Sequence, residues 1–134
     1  MTDFPDLPIV LVIDDSELVR NLVVAQLSRS GYRVIQAADG EEGIALYRDR
    51  HQDISLVLLD VRMPRKDGMT TLADLRKINP GVRCLLMTGN ENRDGIRQAE
   101  VIGVMAKPFS HSSLLLALEN AGVPPGQVAA KSLE

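Results

Sequence analysis

The chain has 134 residues, the size of one domain, and 45% of them are apolar against 25% charged, an ordinary composition for a folded protein with a substantial core. A formal net charge of −3, with no basic run longer than Arg65-Lys66, excludes the electrostatic footprint expected of a nucleic-acid binder or of a protein held on an anionic membrane. A lone cysteine, Cys84, excludes an internal disulfide, and no apolar stretch has the length of a signal-peptide core or a membrane span, so the expected compartment is the cytoplasm.

Taken in chain order, Ile9-Val10-Leu11-Val12-Ile13 is an apolar run of strand length that ends in Asp14-Asp15-Ser16. A helix is predicted from about Ser16 to Ser30, with Leu18, Leu22, Val19, Val23 and Leu27 at three- and four-residue intervals forming a core face and Gly31 as the stop. Residues 32–37 read as a second strand. Asp39-Gly40-Glu41-Glu42 has the spacing of a capping box and opens a helix whose apolar side is Ile44 and Tyr47. Residues 54–59 form a third strand and deliver Asp60 to a long loop, Val61 to Asp67. A helix follows from Gly68 to Ile78, with Met69, Leu72, Leu75 and Ile78 on one stripe and Asn79-Pro80-Gly81 ending it.

Residues 82–87 read as a fourth strand ending at Thr88. Between Asn90 and Glu100 the charged residues leave only Ile96 and Ala99 apolar around Gly95, which predicts a short or loosely held helix. Gly103-Val104-Met105-Ala106 is a weaker fifth strand, followed by Lys107-Pro108-Phe109. The last helix spans Ser110 to Ala121, with Leu114, Leu115 and Leu118 inward and Gly122 and Pro124 beyond it. Regular alternation of strands and helices implies parallel pairing with right-handed crossovers, hence an α/β fold with a five-stranded sheet and helices on both faces. The expected organisation is an N-terminal extension over 1–7, one domain over 8–122 and a flexible tail over 123–134.

Three aspartates, Asp14, Asp15 and Asp60, each follow a buried-strand run, and ligands of open parallel sheets bind beyond the carboxyl ends of the strands. Acids gathered there repel one another and call for a cation. Hard oxygen donors suit Mg2+, which commonly bridges carboxylates to phosphate oxygens, so the chemistry suggested is phosphoryl transfer. Taken singly, each residue has a plainer explanation. Asp14-Asp15-Ser16 is a good helix start, Lys107 an ordinary surface lysine before a turn, and Thr88 a strand-end residue. Four strands delivering these side chains to one edge make coincidence a poor account.

The series Val12-Ile13-Asp14-Asp15-Ser16, Leu58-Leu59-Asp60-Val61-Arg62-Met63-Pro64 with Asp67-Gly68, Met87-Thr88-Gly89, and Lys107-Pro108-Phe109 resembles the receiver domain of two-component response regulators, over about residues 8 to 122. The resemblance implies a flavodoxin-like, doubly wound sheet of order 2-1-3-4-5. It also implies that Asp60 accepts a phosphoryl group from a phosphohistidine on a sensor histidine kinase or phosphotransfer protein. Asp15 and Asp60 would hold Mg2+ directly, Asp14 through water, and Arg62 through its backbone carbonyl. Lys107 would be the fixed cation, Thr88 a hydroxyl donor to the phosphoryl oxygens, and the Lys107-Pro108 peptide cis.

The sequence also departs from that pattern. An aromatic residue common three positions before the lysine is Val104 here, and the Thr88 to Lys107 interval is short, which resembles receivers of hybrid sensor kinases more than those that drive transcription. Arg62 and Asn90, each two residues beyond a site residue, flank the path of a hydrolytic water in the family. His51 and His111 read as solvated surface groups, and Cys84 as a small buried hydrophobe. Two other readings compete: a phosphatase or phosphotransferase enzyme using an aspartyl phosphate, in which a general acid rather than Arg62 would stand two residues beyond the nucleophile, and an inactive receiver used only for binding.

Overall fold

The computed structural model describes residues 7–89 and 101–126. Five strands, β1 (Ile9–Ile13), β2 (Arg33–Ala37), β3 (Ile54–Asp60), β4 (Cys84–Thr88) and β5 (Gly103–Ala106), form one parallel sheet in the order β2-β1-β3-β4-β5. Four helices, α1 (Glu17–Ser28), α2 (Gly40–Arg50), α3 (Gly68–Ile78) and α4 (His111–Asn120), are present among the described residues. The helix expected within 90–100 lies outside them.

Side-chain alternation along the strands splits the core in two. Ile9, Leu11 and Ile13, with Val57, Leu59 and Leu86, pack with Ile44, Tyr47, Leu72 and Leu75 of α2 and α3. Val10 and Val12, with Leu56, Leu58, Leu85 and Met87, pack with Val23 and Leu27 of α1 and Leu114 and Leu118 of α4. A strand buried on both faces must be apolar at every position, which is why β1, β3 and β4 read as unbroken runs. The edge strands β2 and β5 are partly exposed and carry mixed residues.

The helices start where side chains can accept the first free N–H groups. Ser16, Asp39, Asp67 and Ser110 accept from the amides of Val19, Glu42, Thr70 and Ser113. At α2 the Glu42 carboxylate reaches back to the Ala38 amide at 2.8 Å, one residue short of the cap itself. Gly31, at φ +97°, ends α1 in the left-handed region, and the next amide, of Tyr32, donates to Leu27 O. That amide is therefore spent on the helix, and β2 begins at Arg33. Likewise β4 begins at Cys84 and not at residue 82, because the Val82 amide is taken by Asn79 O at 3.0 Å.

One expectation is corrected on α1. Val23 and Leu27 are fully buried, and Val19 packs against the same core, but Leu18 is 79% exposed and Leu22 46% exposed. The inward stripe is the i, i+4, i+8 row alone. Beyond α4 the chain stays attached: Tyr32 donates from its hydroxyl to Val123 O at 2.7 Å, and the Gly126 amide donates to Gly31 O at 2.8 Å. The tail expected from 123 onward thus starts with four residues fixed to the body, and 127–134 lie outside the described residues.

Candidate functional site

The strand register brings the acids together. β1 and β3 pair Ile13 with Leu59, so the next positions, Asp14 and Asp60, emerge side by side at the carboxyl edge. β3 and β4 pair Asp60 with Met87, and β4 and β5 pair Thr88 with Ala106, which sets Thr88 and Lys107 at the same edge. The Lys107 amide donates to Thr88 O at 2.7 Å and prolongs the β4–β5 ladder to the lysine. The Lys107-Pro108 peptide is cis, as the resemblance implied.

Carboxylate oxygens of Asp14, Asp15 and Asp60 all lie within 4.8 Å of one another. Asp14, Asp60 and Thr88 are buried, while Asp15 is exposed and opens the cluster to solvent. Lys107 Nζ donates to Asp14 Oδ2 at 2.9 Å and to Asp60 Oδ1 at 3.2 Å. Burial pushes the Asp60 carboxyl up to about 6, the Asp14 charge adds to that, and Lys107 and the Arg62 amide offset part of it. Burial pulls the Lys107 ammonium down, but hydrogen bonding and attraction to Asp14 and Asp60 outweigh it and its pKa is raised. Lys107 thus stays charged. An all-oxygen donor set with surplus negative charge and one open side fits a hard divalent cation.

Asp14 is held by every polar group it has. Its amide donates to Ala37 O at 3.2 Å, Oδ1 accepts from the Ser16 amide at 2.8 Å and Oδ2 from Lys107, and its carbonyl accepts from Arg20 Nη1 at 2.7 Å. Arg20 in turn donates from Nε to Gln36 Oε1 on β2 at 3.1 Å. Sequence reading missed Arg20 and Gln36. The available signal was weak, an arginine one turn beyond the Ser16 cap.

The loop after Asp60 is closed by the Gly68 amide on Val61 O at 2.9 Å and pegged by the buried Met63. A side chain at Gly68 would run into the Asp60 carbonyl, so glycine is required by close approach. Arg65, at φ +70°, turns the loop toward α2, where its guanidinium lies 3.6 Å from Asp39. Lys66 Nζ reaches Asp74 at 2.6 Å and Glu41 at 3.3 Å. Beside Lys107, a groove of about 400 Å3 is lined by Leu18, Val19, Leu22, Pro108 and Phe109. A larger cavity, about 710 Å3, lies at the opposite end of the sheet among residues such as Ile9, Arg33 and Arg83 and includes none of the site residues.

The remaining candidates fall away from the acids. Cys84 is buried and its thiol is pushed up to about 12, so it is inert. His111 is exposed, with Nε2 3.3 Å from Ser30 Oγ. His51, expected on the surface, is instead half-buried against the Tyr47 ring, because α2 packs that end of the helix onto the core; its Nδ1 is buried with no partner among the described residues. Val104 is 37% exposed on β5. Asn90, expected to flank the water path, lies outside the described residues.

Comparison with known proteins agrees with this geometry. Residues 10–119 match the family model described as the response regulator receiver domain. The transcriptional regulatory protein PdtaR of Mycobacterium tuberculosis is 36% identical over 118 residues, 84% of this chain and 55% of that protein. Sporulation initiation phosphotransferase F of Bacillus subtilis is 31% identical over 103 residues, 75% of this chain and 82% of that one. Among solved structures, a response regulator receiver domain protein from Clostridium thermocellum superposes with a TM-score of 0.81 at 26% identity, covering 95% of this chain and 98% of its own. The chain spans about half the length of the first curated relatives it matches, 49% and 55% for two of them.

Proposed function

The chain belongs to the response regulator receiver domain family and is a phosphoacceptor module, and from that premise we propose that Asp60 is the acceptor. An Asp60 carboxylate oxygen attacks the phosphorus of a phosphohistidine on a sensor kinase or phosphotransfer protein. The new O–P bond forms as the P–N bond breaks, and the nitrogen keeps the electron pair. The observation that carries this reading is the Lys107 ammonium spanning the buried Asp14 and Asp60 at 2.9 and 3.2 Å in a three-carboxylate pocket. An anionic nucleophile facing an anionic phosphoryl group needs such a fixed cation.

In the same reading Asp15 and Asp60 with the Arg62 carbonyl would hold Mg2+, with Asp14 contributing through water. When bound, Mg2+ supplies positive charge that offsets repulsion between the carboxylates and the phosphoryl oxygens. The Thr88 hydroxyl donates to a phosphoryl oxygen. Because the Lys107 amide is bonded to Thr88 O, a pull on either side chain acts on both strand ends and biases the surface presented to partners. The groove of Leu18, Leu22, Pro108 and Phe109 beside Lys107 is the apolar surface on which the partner would rest. The proposal places the domain, residues 8–122, in the cytoplasm with its phosphodonor. Two residues beyond Asp60, where the phosphoester-hydrolysing alternative would place a general acid, stands Arg62.

The test is intact mass after incubation with acetyl phosphate, with and without Mg2+, for wild type and Asp60→Asn. A single-phosphate adduct that needs Mg2+ and is absent from the variant is expected. An adduct of equal yield in Asp60→Asn would overturn the assignment.

A further inference from the structure

Arg20 is not one of the acids or the lysine that make up the pocket, yet it is tied to one of them more closely than any other residue of α1. Its Nη1 lies 2.7 Å from the Asp14 carbonyl, the oxygen of the peptide that joins Asp14 to Asp15, and its Nε lies 3.1 Å from Gln36 Oε1. One guanidinium therefore links three elements at the carboxyl edge of the sheet: α1, which carries it, the end of β1, and β2. The two bonds leave from different nitrogens of a planar group, so together they fix its orientation. Asp14 is anchored on all other sides, by Ala37 O, the Ser16 amide and Lys107. Asp15 is different, because it is exposed and its carboxylate is placed by the peptide that precedes it.

We propose that Arg20 is a positioning residue for the cation site, setting the Asp14-Asp15 peptide so that the Asp15 carboxylate faces Asp60, with Gln36 orienting the guanidinium. The proposal rests on the cation-binding role given to Asp15 above. It makes a prediction that runs against simple electrostatics. Arg20 adds positive charge near three carboxylates, so an Arg20 that acted only through its charge would weaken cation binding, and removing it would tighten binding. Positioning demands the reverse. Outer partners that orient ligands cost about tenfold or more in metal affinity when lost.

The experiment is calorimetric titration of the metal-free protein with Mg2+, for wild type, Arg20→Met, Arg20→Lys and Gln36→Leu, with circular dichroism to establish that each is folded. Arg20→Met is expected to weaken Mg2+ binding about tenfold. Arg20→Lys keeps the charge and loses the planar fork, and is expected to fall nearly as far. Gln36→Leu, on an exposed side chain of an edge strand, is expected to weaken binding in the same direction by a smaller factor. If Arg20→Met binds Mg2+ as tightly as wild type or more so, the proposal is overturned. Wild-type affinity in Arg20→Lys would overturn it too, since the planar fork held between the Asp14 carbonyl and Gln36 would then not be needed. Should Arg20→Met lose its fold, Arg20→Lys carries the decision. Absence of Mg2+ binding by the wild type itself would overturn the cation-site reading, a result distinct from loss in the variants alone.

Discussion

At the scale of single residues, the site is a deliberate imbalance. Two buried carboxylates share one lysine, and the third lies open to solvent. Asp60 carries the cost, with its carboxyl pushed up to about 6 by burial and then by Asp14. A carboxyl whose folded pKa lies above its unfolded value binds protons more tightly in the native state. Its ionisation therefore destabilises the metal-free protein as pH rises from about 4 through about 6. Asp60→Asn removes that charge and should raise the melting temperature of the metal-free protein at pH 7.5. The gain should shrink toward pH 4.5, where wild-type Asp60 is itself neutral. Thermal melts of both proteins across that range in the presence of a chelator check this, and a pH-independent difference would count against it. Asp14, Asp15, Asp60, Thr88 and Lys107 were all legible as site candidates because each stands at the end of a strand-like run. Arg20 was not, since its importance depends on a bond to a main-chain oxygen, which no side-chain pattern reports.

At the scale of elements, the loop after β3 and the outer face of α1 carry the information. Gly68 lies against the Asp60 carbonyl and donates to Val61 O, so Gly68→Ala must push the loop away from the acceptor. We expect a loss of about 2 kcal/mol or more in denaturant unfolding, and weaker Mg2+ binding, because the Arg62 carbonyl belongs to the same loop. An unchanged unfolding midpoint would show that the loop can shift freely. On α1, Leu18 is exposed beside the apolar groove, so Leu18→Glu should change stability by no more than about 0.5 kcal/mol. The same variant should accept phosphate normally from acetyl phosphate and poorly from a protein donor. Equal rates from both donors would remove the groove from the docking surface. The sequence placed Leu18 and Leu22 in the core because helical spacing alone cannot tell a buried stripe from an exposed apolar strip. Strand ends were misjudged for a related reason: Val82 and Tyr32 look strand-like, but neighbouring turns claim their amides.

At the scale of the whole molecule, the sheet works as a register device. Parallel pairing of β1 with β3, and of β4 with β5, turns four sequence-distant strand ends into one pocket. Parallel pairing was legible because strand and helix runs alternate from β1 to β4 and because β1, β3 and β4 are apolar on both faces, whereas the order β2-β1-β3-β4-β5 was implied by the family resemblance. The contact between Lys107 and Asp14 spans 93 positions, a pairing that only the closed sheet creates. A cation that binds the native pocket and not the unfolded chain should stabilise the protein in proportion to the logarithm of its concentration. Millimolar Mg2+ is accordingly expected to raise the melting temperature of wild type at pH 7.5 and to leave Asp15→Asn unmoved. An equal rise in both would assign the effect to salt.

The central claim is that Asp60, rather than a neighbouring carboxylate 4.8 Å or less away, takes the phosphoryl group. Borohydride reduction of the phosphorylated protein converts an acyl phosphate to an alcohol, so an acceptor aspartate becomes homoserine and can be read by peptide mass spectrometry. Homoserine is expected at position 60 alone. Homoserine at position 14 or 15 would contradict it.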